Sequence, residues 1–174
     1  MRALAAVLTL GIALFGAGFG CTGTPTPKTP AAVAALPAMK LQTLDGAETT
    51  LHQAVAGRVT LLTLWATWCD ACRDELQPLA RLAERSSAVG AQVLAIDVGE
   101  SPARVAAFVR AHKLGYPQLL DPRFQLSDAL GSRRVPTTLV IDAGGNILYR
   151  GGALDGAALA AFRGAIGQAR TAER

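Results

Sequence analysis

A chain of 174 residues and 18.0 kDa accommodates one domain of ordinary size with some additions. With 51% hydrophobic and only 17% charged residues, it is neither a disordered tail nor a nucleic-acid-binding array. The net charge of +4 is dispersed over 17 basic and 13 acidic residues without a basic run, so no phosphate-backbone footprint exists and nucleic acid is not expected as a partner.

The chain opens on a secretion pattern. Arg2 is the only charge before Lys28, and residues 3–19 are almost wholly apolar, as in a secretory signal over residues 1–20. Small residues crowd its end (Gly16, Ala17, Gly18, Gly20), and Cys21 follows at once. A small residue directly before a cysteine resembles the bacterial lipobox, in which that cysteine is lipidated; Gly18 stands where such boxes usually carry Leu. An ordinary cleaved signal and an uncleaved anchor remain as rival readings. All three place the rest of the chain outside the cytoplasm, because Arg2 holds the N-terminus inside. Cysteine arithmetic favours the lipid on Cys21: it leaves Cys69 and Cys72 as a matched pair, whereas a free third thiol is uncommon in an oxidising compartment. Residues 21–38 then read as a tether. Its four prolines and four threonines favour extended, solvated backbone, reaching roughly 50 Å from a membrane at ~3.1 Å per residue.

From residue 39 to 174 strand and helix patterns alternate. A hairpin is predicted from residues 40–44 and 49–51 around Asp45-Gly46. Residues 59–66 (VTLLTLWA) form a nearly continuous apolar run, as in a strand buried on both faces. A helix follows over 70–85, with Cys72, Leu76, Leu79 and Ala83 on one face and Pro78 expected to kink it. Another buried strand is predicted at 92–98. Ser101-Pro102 then caps a helix that buries Val105, Phe108 and Val109. A short strand at 118–120, a short helix at 123–130, strands at 137–141 and 147–150, and a helix at 154–166 complete the domain. The expected architecture is an α/β sandwich on one mixed sheet.

The chemistry sits at Trp68-Cys69-Asp70-Ala71-Cys72, directly after a buried strand and at the opening of a helix. A thiol there faces unpaired N–H groups and the positive end of the helix dipole, which stabilise its thiolate. A cysteine three residues on lies one turn below on the same face, within disulfide reach. Such a pair can attack a disulfide and then release the product by closing on itself. A structural zinc knuckle would need a second ligand pair, and His52 and His112 are neither paired nor close in sequence. A purely structural disulfide is the other alternative.

The stretch LDGAETTLHQAVAGRVTLLTLWATWCDACRDE resembles the opening of TlpA/ResA-like thioredoxin-fold proteins, membrane-tethered relatives of thioredoxin. VPTTLVIDAGGNILYRGG is similar to that family's second signature, a cis-proline followed by a strand and hairpin. The resemblance implies a thioredoxin-like fold: a central mixed β-sheet flanked by helices, an N-terminal β-hairpin and a strand–helix insert between Val98 and Arg134. Two departures stand out. Ala71 replaces the proline that most often precedes the second cysteine, and Pro78 comes one place later than thioredoxin's helix proline.

By the same resemblance Cys69 matches the exposed nucleophile and Cys72 the buried resolving thiol. Trp68, Val135 and Thr137 match the substrate-binding surface, and Pro136 matches the cis-proline facing the cysteines. A cis bond there would leave the Val135 backbone open to an extended peptide. The alternative is a trans proline that merely starts an edge strand. Glu75, three residues past Cys72, matches an acidic position that moves a proton to or from the second thiol; otherwise it is an ordinary helix glutamate paired with an arginine. His112 is expected to pack and His52 to lie on the surface.

The expected function is a tethered, extracytoplasmic thiol–disulfide oxidoreductase that reduces protein disulfides and needs no cofactor. The resemblance suggests apocytochrome c as a client, and because an oxidising compartment cannot recharge a reductant, a transmembrane dithiol is expected as electron donor. A peroxiredoxin would require proline and threonine ahead of its cysteine, and residues 62–66 contain no proline. A dithiol copper chaperone would want more than the two methionines and two histidines present.

Overall fold

The computed structural model describes residues 34–131 and 133–172. The expected signal segment 1–20, Cys21 and most of the expected tether lie outside the described residues. Ala34–Ala35 (β1), however, pair antiparallel with Asn146–Gly151 (β8), and Leu36 is buried, so the sheet begins inside the stretch whose composition suggested a tether.

Lys40–Thr43 (β2) and Glu48–Thr50 (β3) form the expected hairpin, with Gly46 supplying the positive φ that its turn requires. Sequence periodicity placed Leu51 in the second strand; instead it opens a short helix, Leu51–Val55 (α1). The reason is a capping box. Thr50 Oγ1 accepts from the Gln53 N–H, and the Gln53 side chain accepts from the Thr50 N–H.

Thr60–Trp65 (β4) and Gln92–Val98 (β5) are buried along their whole length and pair in parallel, as their mostly apolar sequences suggest. Between them runs Asp70–Ser87 (α2), which continues through Pro78 and buries Cys72, Leu76 and Leu79. Pro102–Ala111 (α3) starts at the expected proline and buries Val105 and Val109. Exposed His112 stacks on Phe108 with ring centroids 4.1 Å apart, and His52 is exposed, both as expected.

Gln118–Asp121 (β6) adds in parallel to β5. The next helix is shorter than its sequence pattern suggested, Gln125–Ala129 (α4) rather than 123–130. Asp121 sets its start, because its carboxylate accepts from the N–H groups of Gln125 and Leu126, both at 2.8 Å, while Phe124 turns left-handed. Thr137–Ile141 (β7) and β8 form the closing hairpin around Asp142, whose carboxylate accepts from the Gly144 and Asn146 N–H groups. Gly156–Ala172 (α5) begins later than expected. Asp155 caps it by accepting from the Ala158 N–H at 2.7 Å.

These strands make one eight-stranded mixed sheet among the described residues, in the order β1-β8-β7-β4-β5-β6-β2-β3. One core, with Trp65, Cys72, Leu76, Val105 and Phe162, lies on the face covered by α2, α3 and α5. The other, with Leu51, Leu62, Leu64, Leu94 and Leu126, lies on the face covered by α1 and α4. The cysteines therefore sit above one defined face, at the end where β4 gives way to α2.

Candidate active site

β4 ends at Trp65, and a tight turn closed by the Cys69 N–H bonding to the Ala66 carbonyl at 3.2 Å delivers Cys69 to the N-cap of α2. The Cys69 sulfur accepts from the Cys72 N–H at 3.1 Å, so it occupies the place of an N-cap acceptor. Cys69 and Cys72 are joined as a disulfide, with Cα atoms 5.2 Å apart. Their surroundings differ. Cys69 retains 7% exposure beside Trp68, which is 57% exposed, whereas Cys72 retains 1% among Leu76 and Leu79.

The Val135–Pro136 bond is cis. Thr137 pairs with Leu64, so Pro136 stands one step beyond that pair, at the end of β4 from which the cysteine turn leaves. Val135 is half-buried at the surface of the core. Thr137, expected among the substrate-binding residues, is turned away. It shares the sheet face of its partner Leu64, opposite the cysteines, is buried, and donates its hydroxyl to the Arg134 carbonyl at 2.7 Å. Adjacent residues of a strand point to opposite faces, so Thr137 and Pro136 face opposite sides of the sheet.

Glu75 is half-buried and accepts from the Leu154 N–H at 2.6 Å, tying α2 to the loop before α5. Its other oxygen is buried without a partner. Burial raises its pKa above the ordinary carboxylate value, the Leu154 N–H opposes that shift, and Asp74 adds to it. Its bonded partner is thus a backbone N–H, while Arg73 of the same helix pairs with Asp70.

Sequence reasoning missed a second group of acidic residues. Glu100, 7% exposed, accepts from the Thr67 N–H at 2.5 Å and from the Thr67 hydroxyl at 2.7 Å. Arg104 approaches the same carboxylate at 2.8 Å and also donates to the Thr67 hydroxyl. Asp97, next to the last residue of β5, is fully buried, and burial together with the neighbouring Glu100 pushes its pKa up to about 8. The available signal was an aspartate after the apolar stretch Val93–Ile96, a costly placement that calls for an explanation. Among the described residues, no cluster of three His, Cys, Asp or Glu is placed to hold a metal ion.

A vicinal cysteine pair at the N-terminus of the first long helix, with a cis-proline at the same end of the sheet, defines a thioredoxin-fold protein built around a dithiol–disulfide couple. The chain belongs to the AhpC/TSA family, which matches residues 33–150. Thiol-disulfide oxidoreductase ResA of Geobacillus thermodenitrificans is 32% identical over 123 residues, covering 70% of each protein. ResA of Bacillus subtilis is 30% identical over 92 residues, 53% of this chain and 51% of that protein, so the match spans about half the length of that relative. In three dimensions, a thiol:disulfide interchange protein of the thioredoxin family from Chlorobium tepidum is similar with a TM-score of 0.65 at 24% identity, over 78% of this chain and 98% of that one. The likeness to ResA-like proteins and the thioredoxin-like fold, both expected from the two sequence blocks, are borne out.

Proposed function

We propose that this chain is an extracytoplasmic thiol–disulfide oxidoreductase that reduces disulfides in protein substrates. The observation that carries the reading is the Cys69–Cys72 disulfide at the start of α2, with Cys69 retaining 7% exposure beside the exposed Trp68 and Cys72 only 1%. In the reduced protein the Cys69 thiolate attacks one sulfur of the substrate disulfide, and the other leaves as a thiolate and takes up a proton. Cys72 then loses its proton, attacks the Cys69 sulfur and expels the second substrate thiol. Two electrons pass to the substrate and the Cys69–Cys72 disulfide remains. A dithiol donor in the membrane would restore the thiols.

Trp68 and the backbone of Val135 flank the approach, and the cis bond at Pro136 supports pairing with an extended peptide. Glu75, partly enclosed with one unpartnered oxygen one turn beyond Cys72, takes up the Cys72 proton in the resolving step. The names of the ResA relatives support thiol–disulfide exchange over peroxide reduction. Apocytochrome c as the client rests on the family resemblance alone.

The reducing direction has mixed local support. Asp70 places a negative charge beside Cys69, which opposes its thiolate and favours the disulfide. Its exposed ion pair with Arg73 weakens that push. We expect a potential nearer ~−270 mV than the ~−120 mV of a strong oxidant. Equilibration with glutathione buffers measures it, and a value near the oxidant end would remove the reductive assignment. The reduced protein should leave hydrogen peroxide unconsumed in the same buffer.

Membrane attachment through a lipid on Cys21 is the second part of the proposal. Among the described residues no helix is long and apolar enough to cross a membrane. The wild-type protein should enter the detergent phase on phase separation and Cys21→Ala should remain in the aqueous phase. Equal partitioning of the two would leave the lipid without support.

A further inference from the structure

We propose that the Phe124 ring acts as a wedge that fixes the turn at Gly99–Glu100 and, through Thr67, positions Cys69 for attack. Phe124 is half-buried and lies in the left-handed region, with φ 58°. That conformation is uncommon outside glycine and asparagine, and a bulky aromatic side chain makes it a strained one. Strain of this kind persists only where the surroundings over-determine it, and it gathers at functional sites.

The surroundings of Phe124 do so. The Asp121 carbonyl accepts from both the Gly99 N–H at 3.0 Å and the Phe124 N–H at 3.2 Å. The Asp121 carboxylate takes the next two N–H groups, those of Gln125 and Leu126. The ring is thereby carried onto Gly99: a Cβ placed on that glycine would stand 2.1 Å from Phe124 Cζ and 2.5 Å from Cε2. Gly99 itself has φ 79°, so glycine is what admits both the turn and the ring. The Arg133 guanidinium carbon lies 5.6 Å from the ring centroid, held by two bonds to the Asp128 carboxylate at 2.6 and 2.9 Å. Phe124 thus touches both the turn after β5 and the segment that leads to the cis bond at Pro136.

From the ring to the thiol the steps are short. Glu100 follows Gly99, and its carboxylate holds both the backbone N–H and the hydroxyl of Thr67, with Arg104 bound to the same carboxylate. Thr67 precedes Cys69 by two residues. Without the ring, the turn can sink into the vacated space and draw the Glu100 carboxylate away from Thr67. The Cys69 sulfur then drifts from the Cys72 N–H, which it meets at 3.1 Å, and its thiolate loses that stabilisation. Phe124 is a positioning residue that acts through Glu100 and Thr67. The inference rests on the proposed function in one respect, that Cys69 is the reactive thiol, and on no particular substrate.

Alkylation of the fully reduced protein by a small reagent, followed at Cys69 against pH, reads the effect without a substrate. Phe124→Asn, whose side chain tolerates the left-handed backbone, should react about tenfold more slowly than the wild type at neutral pH, with its profile moved to higher pH. Phe124→Tyr keeps the ring and should match the wild type. Should Phe124→Asn not fold, Phe124→Leu, with apolar bulk but no flat ring, carries the same comparison. A role in packing alone would lower the denaturant midpoint and leave the Cys69 profile in place. That result would overturn the proposal, as would a Phe124→Tyr protein as slow as Phe124→Asn. In the unaltered protein the ring current should move the Gly99 α-proton resonances well upfield, and ordinary shifts there would overturn it too. A wild type that fails to reduce protein disulfides would count against the oxidoreductase reading alone.

Discussion

Cys72→Ser should convert the protein from a catalyst into a trap. Cys69 would still attack a substrate disulfide, because its sulfur stands at the open N-cap of α2 beside an exposed Trp68. No second thiol would then be at hand to expel it, and a mixed disulfide would accumulate. Cys69→Ser should form no such species, since Cys72 is 1% exposed among leucines, where burial hides its sulfur. Both variants should lose turnover by several orders of magnitude. Non-reducing electrophoresis after incubation with a disulfide-bonded protein, together with thiol-release kinetics, provides the check. Full reductase activity in either variant would refute the two-step mechanism. The same Cys72→Ser protein, recovered from its own cells, should carry its physiological client with it.

A second large effect concerns stability. Asp97 has a folded-state pKa pushed up to about 8, against an ordinary value of 3.8. A carboxyl raised in this way binds its proton more tightly in the folded protein than in the unfolded chain. Its stabilisation is therefore fully present below about pH 4 and is lost as pH rises towards 8. The shift spans about four pKa units, each about 1.4 kcal/mol, so the loss over that window amounts to a few kcal/mol. Asp97→Asn carries no titratable proton and should lack this slope. Its stability at low pH should be equal to or below that of the wild type, because an enclosed amide can lack partners. Above pH 7 the order should reverse. Denaturant unfolding of both oxidised proteins at pH 5, 7 and 9 reads the difference, and parallel curves would exclude a buried titration at this position.

The exposed acidic groups do not blur that comparison. Asp45, Asp128 and Asp155 have pKa values lowered chiefly by hydrogen bonds from Thr43, Arg133 and the Ala158 N–H respectively. They contribute equally to both proteins. Glu75, raised by burial, adds a slope of the same sign as Asp97 and likewise cancels between the two.

Much of this protein can be read along the chain, because local patterns are enough where the physics is local. β4 and β5 are mostly apolar and are buried throughout, since parallel central strands see no water on either face. The start of α3 follows from Ser101-Pro102, because proline at the first helical turn sacrifices no hydrogen bond. Cys69 and Cys72, three apart at a strand-to-helix junction, could only meet on one face of α2, and they do so as a disulfide. The helix α1 was within reach too: Thr50 and Gln53 have capping-box spacing, but an apolar Leu51 after two threonines imitates a strand.

Other features required the assembled sheet. Ala34–Ala35 becomes a strand because β8 presents a free edge to it, and nothing in a proline- and threonine-rich stretch announces that partner. Thr137 looks in sequence like a neighbour of the active-site proline, yet its register against Leu64 turns it to the opposite face. Asp97 and Glu100 carry no motif. Only the placement of β5 between β4 and β6 removes Asp97 from water, and only the fold carries Glu100 back to Thr67, 33 residues earlier. The identity of the reacting thiols is thus a local property of the chain, written in residue spacing and helix-end chemistry. The buried charge behind them is a tertiary property, because desolvation and long-range hydrogen bonds exist only once distant segments have packed together.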